Sequence, residues 1–184
     1  MKNIHLIMPF FRFENKDKFI DAYRPMEVIL HPIMFRDENI DFNEPWVEPF
    51  VIEMESTDCE AEKIECFKRN KFIAGYTFID NDYYVCSDDD DMYEPNVLDA
   101  IKQMDDDIVI ISMKRGNNIP DDVIPIRRFP TTTLIANPAK RCLGEISGQQ
   151  SFVKGKIFKD HLFNENSCFW DGEMVIHHKE SGEQ

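Results

Sequence analysis

No glycine lies between Met8 and Asn15, so the first apolar segment does not open into a glycine-rich phosphate loop. That absence disfavours a sugar-phosphate nucleotidyltransferase, which would carry a glycine-rich, basic loop at this point. The five cysteines, Cys59, Cys66, Cys86, Cys142 and Cys168, are odd in number and contain no CxxC pair. A zinc knuckle and a thioredoxin-like site are therefore disfavoured, and a reduced, cytoplasmic setting is expected. Nowhere does an apolar run approach the roughly 20 residues that a membrane span needs. The apolar stretch Ile4 to Met8 is also too short for a signal peptide. Basic residues are scarce: 21 Lys and Arg stand against 35 Asp and Glu, giving a formal charge of −14. Such a surface repels phosphate backbones and anionic membranes, so no nucleic-acid partner is expected unless a metal or a local basic cluster intervenes. Internal repeats and low-complexity linkers are absent too, which points to a single domain over residues 1–184. With 42% hydrophobic residues, a chain of this length can bury a real core.

What the sequence does have is a run of four aspartates, Asp88 to Asp91, at the end of the apolar stretch Tyr83 to Ser87. Met92-Tyr93-Glu94-Pro95 follows. In open α/β sheets, ligands bind at the carboxyl ends of strands, where this run would emerge. Two carboxylates about 6 Å apart repel by roughly 3 kcal/mol at an effective dielectric of about 20, so partial burial calls for a cation. Oxygen ligands suit a hard divalent ion such as Mn²⁺ or Mg²⁺. Fully exposed, the same run is a solvated acidic turn. An EF-hand does not explain it, because the glycine required at the sixth position is missing.

Strand-like and helix-like patterns alternate along the first 112 residues. Ile4 to Met8 reads as a buried strand stopped by Pro9, and Glu14 to Tyr23 as a helix ended by Pro25. Val28 to Leu30, or the longer run on to Met34, reads as a second strand, although Pro32 argues that its pairing ends early. Arg36 to Pro49 reads as an acidic loop, and Phe50 to Ile52 as a third strand. A helix is expected from a cap at Thr57 or Asp58 to Ala74, stopped by Gly75. Asn96 to Met104 reads as a further helix and Asp107 to Ser112 as a buried strand. Beyond these come a polar connection, Gly116 to Pro130, holding Arg127 and Arg128, a strand at Thr131 to Ala136, a strand or turn at Ile146 to Val153, and a short helix at Lys156 to Phe163. The alternation predicts an α/β fold with a mostly parallel central sheet. His5 and His31 fall in strand-like segments and read as satisfied core or edge histidines.

Four segments together resemble the family 2-type glycosyltransferases of the GT-A fold. Met8-Pro9-Phe10-Phe11 is similar to that family's first strand, which ends in a proline leading into the nucleotide site. Lys68-Arg69-Asn70, followed by Ile73-Ala74-Gly75-Tyr76, resembles its arginine-asparagine helix. Asp88 to Pro95 matches its Asp-x-Asp-Asp-x-x-x-Pro pattern, and Gly148 to Lys154 with Trp170-Asp171-Gly172-Glu173 resembles its acceptor side. The family carries an acidic pair after its second strand, one of which reads the nucleotide base. His31-Pro32-Ile33-Met34 stands where that pair is expected.

The resemblance implies a single Rossmann-like GT-A domain. It implies metal-dependent transfer of a sugar from a nucleoside-diphosphate donor to a hydroxyl of a glycan or other acceptor. Asp90 is then the main metal ligand, with Asp88 at the ribose and also near the metal. Asp89 belongs to the nucleotide-sugar segment, although strand alternation turns its side chain the other way, toward a structural role. Asp91 divides between an outer contact and a helix cap. Pro9, Phe10, Phe11, Arg12, Arg69 and Asn70 make up the rest of the nucleotide-sugar site, with Phe10 or Phe11 stacking on the base. Asp171 is the first candidate for general base and Glu173 the second, while His177 is a candidate metal ligand. A base opposite the leaving group implies inversion at the anomeric carbon. Lys114-Arg115 and Arg127-Arg128 could balance phosphate, or be ordinary surface charge. A GT-A-like protein that binds nucleotide without turnover is the main alternative.

Overall fold

The computed structural model describes residues 2–38, 40–60, 64–89, 92–111, 127–128 and 150–159. Seven strands form one sheet in the order β3-β2-β1-β4-β7-β5-β6. They are β1 (Ile4–Pro9), β2 (Ile29–Phe35), β3 (Phe50–Ile52), β4 (Tyr83–Cys86), β5 (Ile108–Ile110), β6 (Arg127–Arg128) and β7 (Ser151–Lys154). β1, β2, β3 and β4 pair in parallel, whereas β7 runs antiparallel to both of its neighbours, β4 and β5. β6 adds an antiparallel edge beside β5. The fold is thus α/β with a mixed sheet in which most strands share one direction.

Every residue of β1, β4, β5 and β7 is buried, as expected where helices cover both faces of a sheet. Alternation sends Ile4, Leu6, Met8 and Phe10 to one face, together with Leu30, Met34, Val85 and Phe152. There they meet α1 (Lys16–Tyr23) through Phe19, Ile20 and Tyr23, and α3 (Pro95–Lys102) through Leu98 and Ile101. The opposite face carries Ile7, Ile33, Phe35, Tyr84 and Ile110. It packs on Phe72 and Ile73 of α2 (Ile64–Gly75) and on Ile157 and Phe158 of α4 (Gly155–Phe158). α4 follows β7 without a connecting loop, because Gly155 lets the chain press against the turn before β4. A Cβ there would stand 2.3 Å from the Ile79 carbonyl oxygen.

Three sequence expectations are corrected. The second strand is not cut short at Pro32: β2 continues to Phe35, with Met8 opposite Pro32. In a parallel ladder, successive residues point their backbone groups to alternate sides. Leu30 bonds toward Trp46 and Glu48, and Ile33 toward Phe10, so Pro32 points to the β3 side. On that side the Leu30–Val47 bridge and the Ile33–Phe50 pair share one register, and Pro32, which has no N–H to give, falls in the gap between them, while the pairing with β1 runs through it unbroken. Thr57 and Asp58 do not start α2 but belong to a separate 3-10 turn, Ser56–Asp58, after which Cys59 is extended. Arg127 and Arg128 are not loop residues; they form β6. The expected strand at 131–136 and the expected helix beyond Lys159 lie outside the described residues.

At the amino end of the sheet, β1 and β2 bury a polar chain. His5 Nε2–H donates to Asp82 (3.3 Å), since a carboxylate only accepts. His5 Nδ1 then accepts from His31 Nε2–H at 2.8 Å. Asp82 also accepts from the backbone and side-chain nitrogens of Asn3 at 2.9 and 3.1 Å. Tyr84 stacks on His5, and Tyr76 at the end of α2 stands edge-on to His31. Glu48 is the remaining charged neighbour, 3.6 Å from His31 Nδ1.

Burial lowers the His5 pKa, against the pull of Asp82. Burial, aided by repulsion from a charged His5, pushes His31 down to about 3. Both rings are therefore neutral in the native state near pH 7. Between the unfolded value near 6.5 and about 3, the unfolded chain binds a proton that native His31 refuses, so stability falls as pH falls. From pH 7.5 to pH 5, His31 alone should remove about 2 kcal/mol of unfolding free energy, measured in urea. His31→Leu should flatten that slope, and an unchanged slope would contradict the assignment.

Candidate functional site

The strand order places β2 on one side of β1 and β4 on the other. The carboxyl ends of β1 and β4 therefore flank the point where the order reverses, the usual ligand position in an open α/β sheet. Backbone bonds bring these ends level. Phe10 N–H donates to the Ile33 carbonyl at 3.2 Å, and Ser87 N–H to the Ile7 carbonyl at 2.9 Å.

Beyond these bonds, side chains hold the exits. Asp89 is 2% exposed and faces the chain leaving β1. Its Oδ2 accepts the backbone N–H of Phe11 at 2.7 Å and that of Arg12 at 2.6 Å. The Arg12 guanidinium donates to the other oxygen, Oδ1. Two successive amides converging on one anion make an anion-binding concavity of the kind that also holds phosphates. Here a carboxylate of the protein fills it, so the concavity ties β4 to β1.

α2 supplies two consecutive buried cations. Arg69 is 1% exposed, and its Nη2 donates to Asp88 Oδ1 at 2.9 Å while Nη1 pairs with Glu65, one turn earlier. Burial opposes the charged guanidinium, yet Cys86, Glu65 and Asp88 together raise its pKa above the ordinary value. Lys68 is fully buried and donates to the Phe10 carbonyl at 2.9 Å and to Glu38 at 2.7 Å. Its ammonium lies 4.3 Å from the Phe11 ring centroid and 4.9 Å from that of Phe35. Burial lowers the Lys68 pKa, and the Glu38 carboxylate limits the loss.

Of the residues singled out from sequence, Pro9, Phe10, Phe11, Arg12, Asp88 and Asp89 meet at the two strand exits, with Arg69 bound to Asp88. Phe10 and Phe11 separate cleanly. Phe10 is a core residue at 1% exposure, whereas Phe11 is 37% exposed at the mouth. Asn70 follows Arg69 on α2 and is half-buried. Asp90, Asp91, Asp171, Glu173, His177, Lys114 and Arg115 lie outside the described residues.

Asp37 and Glu38 were missed by the sequence reading. With β2 running to Phe35, they follow the second strand after one residue, Arg36, whereas His31 to Met34 lie within it. Both are engaged. Glu38 accepts from Lys68 and from the Phe35 N–H at 2.7 Å, while Asp37 accepts from the Ser56 N–H and hydroxyl. The Ser56 bonds hold the Asp37 carboxyl below its ordinary pKa. The signal was present in the apolar run Pro32 to Phe35, which continues the strand beyond its proline.

Carboxylate oxygens are the donor type that a hard divalent cation takes, and Asp88 fits that chemistry. Among the described residues, no three His, Cys, Asp or Glu side chains come together as a metal-ligating group. Nor is any helix among them long and apolar enough to cross a membrane. No protein-family model matches the chain, and no curated protein or solved structure matches it significantly.

The Lys68–Glu38 pair can be tested on its own. Glu38→Gln leaves a buried ammonium without its countercharge and should cost about 3 kcal/mol in urea unfolding. Glu55→Gln, which breaks the exposed pair with Arg36, should change stability little. Equal effects of the two substitutions would contradict the buried-charge assignment.

Proposed function

We propose that the chain is a metal-dependent glycosyltransferase with a single GT-A-like domain over residues 1–184. It moves a sugar from a nucleoside-diphosphate donor to the hydroxyl of a glycan or other acceptor. One observation carries the reading: Asp88 stands at the carboxyl end of β4, bound to Arg69, beside the exit of β1 at the switch point of the sheet. The neighbouring Asp90 and the resemblance of Asp88 to Pro95 to the family pattern extend that support.

In this reading the nucleotide lies across the exits of β1 and β4. Phe11 offers an exposed aromatic face for the base, and Asp88 faces the ribose. Arg12 and Arg69 supply cationic charge on the diphosphate side. Asp90, with Asp88 and His177, would hold Mn²⁺ or Mg²⁺, which offsets charge developing on the leaving diphosphate as a Lewis acid. Asp171 or Glu173 takes the proton from the acceptor hydroxyl. The acceptor oxygen forms its bond to the anomeric carbon as the bond from that carbon to the diphosphate oxygen breaks. Attack opposite the leaving group inverts the anomeric configuration.

The test is a thermal-shift panel of UDP, GDP, CDP and dTDP, each with and without Mn²⁺. One diphosphate should raise the melting temperature only when Mn²⁺ is present. At a hundredfold excess over its dissociation constant, it adds about 2.7 kcal/mol of stability. Asp90→Ala should abolish the metal-dependent part of the shift. An unchanged Mn²⁺ dependence in that variant, or no shift with any diphosphate at millimolar concentration, would refute the proposal.

A further inference from the structure

We infer that Asp89 is a positioning residue, which sets Phe11 and Arg12 in their ligand-ready places before anything binds. The inference rests on the donor-site reading and assigns a residue that no ligand needs to touch. Asp89 lies between the two aspartates that the family pattern assigns to ribose and metal. Its carboxylate turns inward from them, 2% exposed, and meets three donors from the chain leaving β1.

Each of those donors fixes one feature of the mouth. The bond to the Phe11 amide sets the backbone from which the exposed Phe11 ring projects. Lys68 steadies the same ring from within, 4.3 Å from its centroid. The bonds to the Arg12 amide and guanidinium aim a side chain that remains 45% exposed at the mouth. Charge-assisted bonds to a buried anion are the strong kind, and they are made before ligand arrives. A ligand that meets a fixed ring and a fixed guanidinium loses less free energy to ordering them.

The chemistry also says what Asp89 does not do. Its oxygens already serve the two amides and the guanidinium, and at 2% exposure the carboxylate is turned away from solvent and from an incoming ion. The successive amides of Phe11 and Arg12 are filled by Asp89 and do not receive the diphosphate. The cationic contribution of this segment is therefore the guanidinium of Arg12 and not its backbone.

Two substitutions separate the parts. Asp89→Ala removes all three bonds. Asp89→Asn keeps the shape and a carbonyl acceptor for the amides, but turns an NH₂ donor toward the Arg12 guanidinium. Amide hydrogen exchange on the unliganded protein should show Phe11 and Arg12 exchanging at least tenfold faster in Asp89→Ala, with Asp89→Asn between it and wild type. The amides of β1 and β4 should keep their protection. Affinity for whichever of UDP, GDP, CDP or dTDP binds wild type with Mn²⁺ should fall at least tenfold in Asp89→Ala, a change of about 1.4 kcal/mol. Asp89→Asn should again fall between.

Faster exchange at the two amides with unchanged affinity would overturn the positioning role, as would unchanged exchange. Loss of protection across β1 and β4 as well would show a general structural role and overturn it too. Wild-type protein that binds none of the four diphosphates overturns the donor reading and this role together. A wild type that binds, beside variants that bind equally well, overturns the role of Asp89 alone.

Discussion

Three charges are buried at the carboxyl edge of the sheet, on Lys68, Arg69 and Asp89, and each is neutralised across the gap between different segments. An uncompensated charge in such a place is strongly destabilising, so the partners of Lys68 and Arg69 are conditions for the fold, whereas Arg12, the partner of Asp89, is itself 45% exposed. Lys68 joins α2 to the exits of β1 and β2 through Phe10 and Glu38. Arg69 joins the same helix to the exit of β4 through Asp88. Asp89 closes the set by tying β4 to β1 across 78 residues of sequence. The exits of β1 and β4 at the switch point are thereby held together by these pairs.

The two ends of the sheet use their polar residues differently. At the amino end, His5, His31 and Asp82 are closed in by Tyr84 and Tyr76, and burial keeps both imidazoles neutral. That chain is buried, and Glu48 beside it reaches solvent. At the carboxyl end, the buried charges sit beneath groups that do reach solvent: Phe11, the Arg12 side chain and the half-exposed Asp88. A layer of buried, paired charge thus lies under a partly exposed layer.

Much of this was legible in the sequence, because the strongest signals were local. The apolar runs at Ile4 to Met8, Tyr83 to Ser87 and Asp107 to Ser112 mark three strands, and the spacing of Phe19, Ile20 and Tyr23 marks one helix face. What failed depended on neighbours. Pro32 reads as a strand stop until its backbone is known to face away from β1, so that the pairing with β1 runs through it. Thr57 and Asp58 read as helix caps until Cys59 is seen to be extended. Phe10 and Phe11 are equivalent as letters, and only the alternation of β1 sends one into the core. Lys68 gave no sign of burial, since its countercharge, Glu38, lies 30 residues away.

The central claim is that a nucleoside diphosphate with a divalent ion binds across the exits of β1 and β4. The most direct measurement is an amide chemical-shift titration of isotope-labelled protein with Mg²⁺ and the four nucleoside diphosphates in turn. The account predicts shifts from one diphosphate that centre on Phe11, Arg12, Arg69 and Asp88, and leave His5, His31 and Asp82 unmoved. Shifts gathered at another face of the sheet, or none at the β1 and β4 exits at saturating ligand, would contradict it.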